Sequence, residues 1–237
     1  MLNPHEHKLG GFSENDQTID FYLRVRELLT PDSVVLDIGA GRAGWFDDDP
    51  VKTRHQIRHL KPLVSELIAA DVDPAVSNNR ASTQNIVYDG KSLPLEDQSV
   101  DVVIADYVLE HIDDPSAFKA EVSRVLKPGG YLCARTPHKY HYISIAARLV
   151  RNASHTKVLA IAQPDRKAED VFPTCYKLNR MSDVMANFSR WKNHSFLSRA
   201  DPAYYGGRQW AYHGLWMVQR LMPIWFSGTL FVFLQKR

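Results

Sequence analysis

The run Val34-Val35-Leu36-Asp37-Ile38-Gly39-Ala40-Gly41-Arg42 constrains this chain more than any other segment. A short apolar stretch that ends in glycines predicts a buried strand of a parallel sheet feeding a tight turn. Gly39 and Gly41 carry no Cβ, so the backbone can turn sharply and let a ligand come close. Asp37 then narrows the ligand. A carboxylate just ahead of the turn repels a pyrophosphate, and it suits a molecule with a cationic end or ribose hydroxyls.

Gly39-Ala40-Gly41-Arg42-Ala43-Gly44 also spells G-x-G-x-x-G, the dinucleotide fingerprint. That spelling supports a rival reading, an NAD-dependent oxidoreductase. The fingerprint expects an acid about 20 residues further on, whereas Asp71 follows Asp37 by 34 residues. S-adenosylmethionine has a sulfonium, a ribose and no phosphate, and it fits the acid better. A glycine turn that binds nothing is the plainer alternative.

Four further pieces follow in order: Asp71-Val72-Asp73, then Tyr88-Asp89-Gly90 with Leu93-Pro94, then Ser99 to Asp106, then Val125-Leu126-Lys127-Pro128-Gly129-Gly130. With the glycine segment, they resemble the class I S-adenosylmethionine-dependent methyltransferases. Within that class the chain is similar to the small-molecule group, type 11-like, that includes the quinone-pathway enzymes. The resemblance covers roughly residues 20 to 137. It implies a Rossmann-like fold, with a doubly wound, mostly parallel seven-stranded sheet. It also implies S-adenosyl-L-methionine as cofactor, held by Asp37, Gly39, Ala40, Gly41, Asp71, Val72, Asp89, Gly90, Asp106 and Tyr107. In that assignment Asp37 and the glycine backbone face the methionine part. Asp71 accepts the ribose hydroxyls, as a carboxylate can take two O–H donors. Asp89 accepts the adenine amino group, and Asp106 and Tyr107 lie beside the sulfonium. Asp73 reads as a cap of the following turn rather than a second ribose ligand.

Periodicity supports the fold independently. Apolar positions at helical spacing predict helices over Glu14 to Leu29, capped by Ser13, and over Pro115 to Leu126. Short strands are expected at Asn85 to Tyr88, Val100 to Ala105 and Tyr131 to Arg135. Strands alternating with helices mean a parallel, doubly wound α/β sheet. The glycine loop is lengthened by Trp45 to Pro50. Its acids, Asp47 to Asp49, read as a solvated loop that caps the basic helix from Val51 to Leu60. Beyond Pro137 the chain predicts helices at His141 to Val150, Leu178 to Phe188 and Gln209 to Leu221. A loop is expected at Gln163 to Thr174, and strands at Trp191 to Arg199 and Thr229 to Leu234. The expected organisation is one domain, with residues 14–137 as the cofactor-binding half and 138–237 as the acceptor side and closing strands.

Composition limits the class of protein. The 237 residues, 44% hydrophobic and 24% charged, suit one globular domain. Cys133 and Cys175 form no disulfide framework, which points to a reducing, cytoplasmic setting. The start of the chain lacks signal-peptide character. The longest apolar run, Ile224 to Leu234, is too short to cross a bilayer. Contact with a membrane surface stays open through Trp216, Met217, Met222, Trp225 and Phe226, though burial against the sheet is the favoured reading for them. The net charge of +2 conceals an asymmetry: residues 1–140 carry 15 basic and 22 acidic groups, residues 141–237 carry 14 and 5.

Methyl transfer needs an aligned nucleophile and at most one base. The candidate catalytic groups are His138 and His141, in a His/Tyr cluster after the fifth strand, and His111. Tyr107-Val108-Leu109-Glu110-His111 resembles the Glu-x-x-Glu-His metal site of quinone-pathway O-methyltransferases, but Tyr107 replaces the first Glu, so no metal is expected. The expected acceptor is a small anionic, sugar- or lipid-linked metabolite, methylated on oxygen. The basic groups that favour it are Arg148, Arg151, Lys157, Arg166 and Lys167. Nucleic acid is not expected, because the Asn/Asp-Pro-Pro-Tyr/Phe motif is missing and no dense Lys/Arg block occurs. A cofactor-binding domain without catalysis is the other alternative.

Overall fold

The computed structural model describes residues 10–142, 144–145, 173–202, 205 and 208–237. Its core is an open sheet. Strands β1 (Val34–Ile38), β2 (Glu66–Asp71), β3 (Gln84–Val87), β4 (Val100–Asp106) and β5 (Leu126–Pro137) run parallel, and β8 (Gly228–Gln235) pairs antiparallel with β5. The order is β3-β2-β1-β4-β5-β8. The outer edge is a broken strand, β6 (Lys192–Asn193) and β7 (Phe196–Arg199), both paired with β8. Seven lateral positions result, with the outermost split in two. The expected single strand over Trp191 to Arg199 is interrupted where the Asn193 side-chain Oδ1 takes the Ser195 N–H and the Ser195 hydroxyl takes the Phe233 N–H.

The strand order reverses between β1 and β4. In open α/β sheets that point leaves a crevice outside the strands' carboxyl ends. The alternation of side chains assigns residues to the two faces. Val35, Leu67, Val102, Ile104, Cys133 and Phe231 face helix α1 (Gln17–Arg26), packing on Phe21, Tyr22 and Val25. Leu36, Ile38, Val103 and Leu132 face the other way, toward α4 (Pro115–Val125) and α5 (Met181–Asn187).

Helix α1 starts later than expected. Its cap is Asp16, whose Oδ1 takes the N–H groups of Thr18 and Ile19, each at 3.0 Å, and not Ser13. Asp16 stands next to the first turn, and its charge also favours a helix N-terminus. After the glycines come a four-residue helix, α2 (Trp45–Asp48), and then α3 (Lys52–Arg58). Asp49 takes the Val51 N–H at 2.9 Å and pairs with Arg54 at 3.1 Å, so one of the three adjacent acids organises the entry to α3. Helix α6 (Gln209–Leu221) and the short α7 (Ile224–Ser227) precede β8. Most of the segment expected as a helix from His141 to Val150, and nearly all of the loop from Gln163 to Thr174, lie outside the described residues.

Candidate cofactor site

The turn after β1 is held at every residue. The Gly39 N–H donates to the Ala70 carbonyl at 2.7 Å, and the Gly41 N–H donates to Asp71 Oδ2 at 2.8 Å. Asn79 closes the ring, donating from Nδ2 to the Gly41 carbonyl at 3.0 Å. Gly39 has φ +71, and a Cβ there would lie 2.4 Å from Val108 Cγ2. Only glycine satisfies both conditions. Asn79 was not singled out from sequence; no motif marks it, and only the fold of the segment after β2 brings it under the loop.

Three acids share one face because of the period-two alternation. In the sheet register Asp37 lies beside Ala69 and Ile104, and one step nearer the carboxyl ends Asp106 lies beside Arg135. Asp71 ends β2 on the same face, two residues past Ala69. The environments of the acids differ. Burial first, then the Asp106 and Asp71 charges, pushes the Asp37 carboxyl up to about 7, against an opposing pull from Arg58. Burial also pushes Asp106 up, but the charge and hydrogen bonds of Arg135, with Arg58 and the Tyr22 hydroxyl, hold it below the ordinary carboxylate value. Arg135 grips both Asp106 oxygens, the Nη2–Oδ2 contact being 3.0 Å, and Tyr22 Oη donates to Oδ2 at 3.1 Å. Asp106 is therefore engaged by a buried guanidinium, a partner the sequence reading did not include.

Arg58, the last residue of α3, lies over the Trp45 ring at 4.6 Å and the Tyr22 ring at 5.4 Å. Its buried Nε has no hydrogen-bond partner. It shares with Tyr22, Asp37, Trp45, Asn79 and Ser82 the wall of a cavity. No motif marks Arg58 in the sequence; only the packing of α3 brings it over Trp45 and Tyr22.

Asp71 is 8% exposed. One of its oxygens binds Gly41, and the other takes the Asp73 N–H at 2.9 Å. Asp73 itself caps the turn that follows, accepting from the Ala75 N–H at 2.8 Å. Between these acids and Gly90, the Val72 side chain stands 49% exposed, an apolar surface beside the strand ends. A Cβ on Gly90, which has φ +78, would meet Val72 Cγ1 at 3.1 Å. Asp89 is exposed, and its Oδ1 takes the N–H groups of Lys91 and Ser92, which hold its carboxyl below the ordinary value. Tyr107, at φ +59, turns the chain out of β4 and leaves its ring exposed, with the Arg135 guanidinium 4.8 Å from its centre.

Each of the three histidines is engaged by protein partners. His138 is buried; its Nδ1 accepts the Tyr140 N–H at 3.2 Å and its ring also bonds the Trp225 backbone. His141 is buried and stacked on Tyr142 at 4.5 Å, and burial followed by the His138 charge pulls it down to about 4. His111 Nδ1 lies 2.7 Å from the Pro173 carbonyl. Glu110 is buried and accepts from the Thr136 hydroxyl at 2.7 Å, on the opposite face of the sheet from Asp106. Among the described residues no group of three His, Cys, Asp or Glu side chains could hold a metal ion.

The G-x-G-x-x-G spelling does not build a dinucleotide loop. Gly44 opens only the four-residue α2, so no long helix aims its amino end at the turn as pyrophosphate binding requires.

The fold and the site define an open, doubly wound α/β protein with a ligand crevice at the reversal of strand order. Residues 52–134 match the family model described as "Methyltransferase domain". A malonyl-[acyl-carrier protein] O-methyltransferase of Hahella chejuensis is 33% identical over 108 residues, 43% of this chain and 36% of that protein. Among solved structures, a SAM-dependent methyltransferase from Methanosarcina mazei matches with a TM-score of 0.56 at 16% identity, covering 90% of this chain and 96% of that one. Geranyl diphosphate C-methyltransferase from Streptomyces coelicolor, solved with Mg²⁺, geranyl diphosphate and S-adenosyl-L-homocysteine, matches at 0.55 and 14% identity, covering 93% and 78%. The fold is thus the one these SAM-dependent methyltransferase structures share, and the sequence match to the methyltransferase domain family lies in residues 52–134. The chain spans about a third of the length of the curated relatives it matches.

Proposed function

We propose that the chain transfers a methyl group from S-adenosylmethionine to a small-molecule acceptor. The observation that carries this reading is the pinned glycine turn with Asp37 and Asp71 on one face of the strand ends. The residues present fit the cofactor. The turn is open at Gly41, where a Cβ would meet only Asp71 Oδ2 at 4.0 Å, and the unpartnered Arg58 Nε and the raised Asp37 offer a donor and an acid for a zwitterionic amino-acid end. Asp71 would take the ribose hydroxyls through its remaining lone pairs, Val72 would lie against the adenine, and Asp89 would take the amino group. Asp106 would act with Arg135 as a unit, holding Tyr22 and Tyr107 in place around the reacting end. When bound, the cofactor supplies an already activated methyl group, so the chain's own task is alignment and the exclusion of water.

The acceptor side is residues 138–237. The excess of basic groups there supports an anionic, sugar- or lipid-linked acceptor, methylated on oxygen, because a cleft of one sign concentrates ligands of the other. Arg148, Arg151, Lys157, Arg166 and Lys167 lie outside the described residues. The Hahella protein, by its name a malonyl-[acyl-carrier protein] O-methyltransferase, supports the preference for oxygen. His138 and His141 follow the last parallel strand at this edge, and burial holds both below ordinary histidine values.

Isothermal titration with S-adenosylhomocysteine and with NADH tests the cofactor. Binding of the first and not the second is expected; the reverse would overturn the proposal. An extract screened with labelled cofactor, fractionated by charge and by organic extraction, tests the acceptor. A labelled anionic or lipid-extractable product is expected, while a cationic water-soluble product, or labelled RNA, would refute this acceptor class.

A further inference from the structure

Helix α6 carries its apolar side chains outward. At 100° per residue, Trp210, Gly214, Met217 and Leu221 fall within about 60° of one another, and Trp210, Met217 and Leu221 are 72%, 61% and 85% exposed. The opposite face buries Tyr212 completely and Gln219 to 3%. A surface helix ordinarily does the reverse. The sequence reading favoured burial for this region; the structure instead leaves Met217, Met222 and Trp225 exposed, with Trp216 half-buried. Met222 and Trp225 continue the apolar surface beyond the helix. Trp225 meets Tyr140 at a ring distance of 6.1 Å, and Tyr140 lies three residues past the end of β5, at the carboxyl edge of the sheet.

Charge identifies what covers this surface. From Pro202 to the start of β8 the chain has Arg208 and Arg220 and no Asp or Glu. Arg220 flanks the apolar stripe, its guanidinium 4.7 Å from the centre of the Trp216 ring, and Arg208 stands exposed at the start of the helix.

We propose that α6 and the turn after it dock on an anionic lipid bilayer, the apolar stripe in the interface and Arg208 and Arg220 at the headgroups. Indoles favour that interface, long cationic side chains reach from an apolar face to phosphates, and a helix with an apolar face and a basic flank lies in its plane. A second copy is a poorer cover, because a two-fold pairing of this face with itself brings its cationic flanks together. The docking would turn the carboxyl edge of the sheet toward the membrane, where a lipid-linked acceptor would be met. The lipid contact itself does not rest on methyl transfer and can be tested without it.

The test is co-sedimentation of the full chain with vesicles of phosphatidylcholine alone and of phosphatidylcholine mixed with phosphatidylglycerol. Binding to the mixed vesicles at least about tenfold stronger than to the neutral ones is expected, weakening with salt. Met217→Glu with Leu221→Glu should reduce it at least about tenfold, and Arg208→Gln with Arg220→Gln should remove the preference for the anionic vesicles. Thermal melting and S-adenosylhomocysteine titration of each variant report folding and the cofactor site separately; if the double glutamate variant does not fold, Leu221→Glu alone serves. Absence of binding to the mixed vesicles would overturn the proposal, as would binding unchanged by the glutamates. So would a dimer in light scattering that the glutamates dissociate.

Discussion

Asp37 and Asp106 are both strand-end acids on one face, yet their surroundings drive them apart. For Asp37 the folded value, about 7, lies above the ordinary carboxylate value. Its contribution to stability is full below about pH 4 and is lost as pH rises toward 7, up to about 4 kcal/mol. Urea denaturation across that range should show the slope in the wild type and not in Asp37→Asn. A cationic ligand end favours the ionised acid, so affinity for S-adenosylhomocysteine should rise with pH up to about 7 in the wild type. Asp106 lies below its ordinary value because Arg135 is already there. Asp106→Ala strands a guanidinium on a residue that is 4% exposed; a loss of about 3–5 kcal/mol of stability is expected by denaturation. Asp71→Ala should weaken cofactor binding by about 1.5–3 kcal/mol, through the ribose and through the released Gly41 N–H. Asp73→Ala removes only a turn cap and should cost less in the same titration.

Among the elements, α1 and α3 fix the site through one carboxylate. Asp16 caps α1 and also binds Arg54 of α3, at 2.7 Å from Nη2. Asp16→Ala should cost about 1–2 kcal/mol of stability by the lost cap, with a further loss of cofactor affinity as α3 and its Arg58 shift. Asp16→Asn keeps the cap and loses the charge pair, so it should be the milder of the two in both measurements. On the other face, Thr136 at the end of β5 bonds both Glu110 and Asn179, and the Asn179 side chain holds the Pro137 carbonyl at 2.9 Å. That buried polar network ties the turn after β4 to the segment before α5. It gives Glu110 a structural partner.

At the scale of the molecule, the acidic first part of the chain builds the five parallel strands and the acids at their ends, and the basic remainder leads to an exposed apolar helix. With Glu110 and His111 bound to separate protein partners, methyl transfer should proceed fully after chelation. Its abolition by EDTA and restoration by Mg²⁺ or Zn²⁺ would bring both residues into the reaction. No helix among the described residues is long and apolar enough to cross a membrane.

The sequence by itself determined what depends on local order. The apolar run of β1, the glycine turn that needs positive φ, the acids at successive strand ends and the 3.6-residue spacing of α4 and α6 are short-range signals, and each is written within a few residues. Tertiary structure decided what depends on partners far apart in the chain. Arg135 reaches Asp106 across two strands 29 residues apart, and Asn79 reaches the Gly41 carbonyl from 38 residues away. The break between β6 and β7 follows from hydrogen bonds with β8. The outward side of α6 is likewise absent from its periodicity. An amphipathic pattern shows that a helix has an apolar face, but only the packing of Tyr212 and Gln219 against the body decided that this face points away from the core.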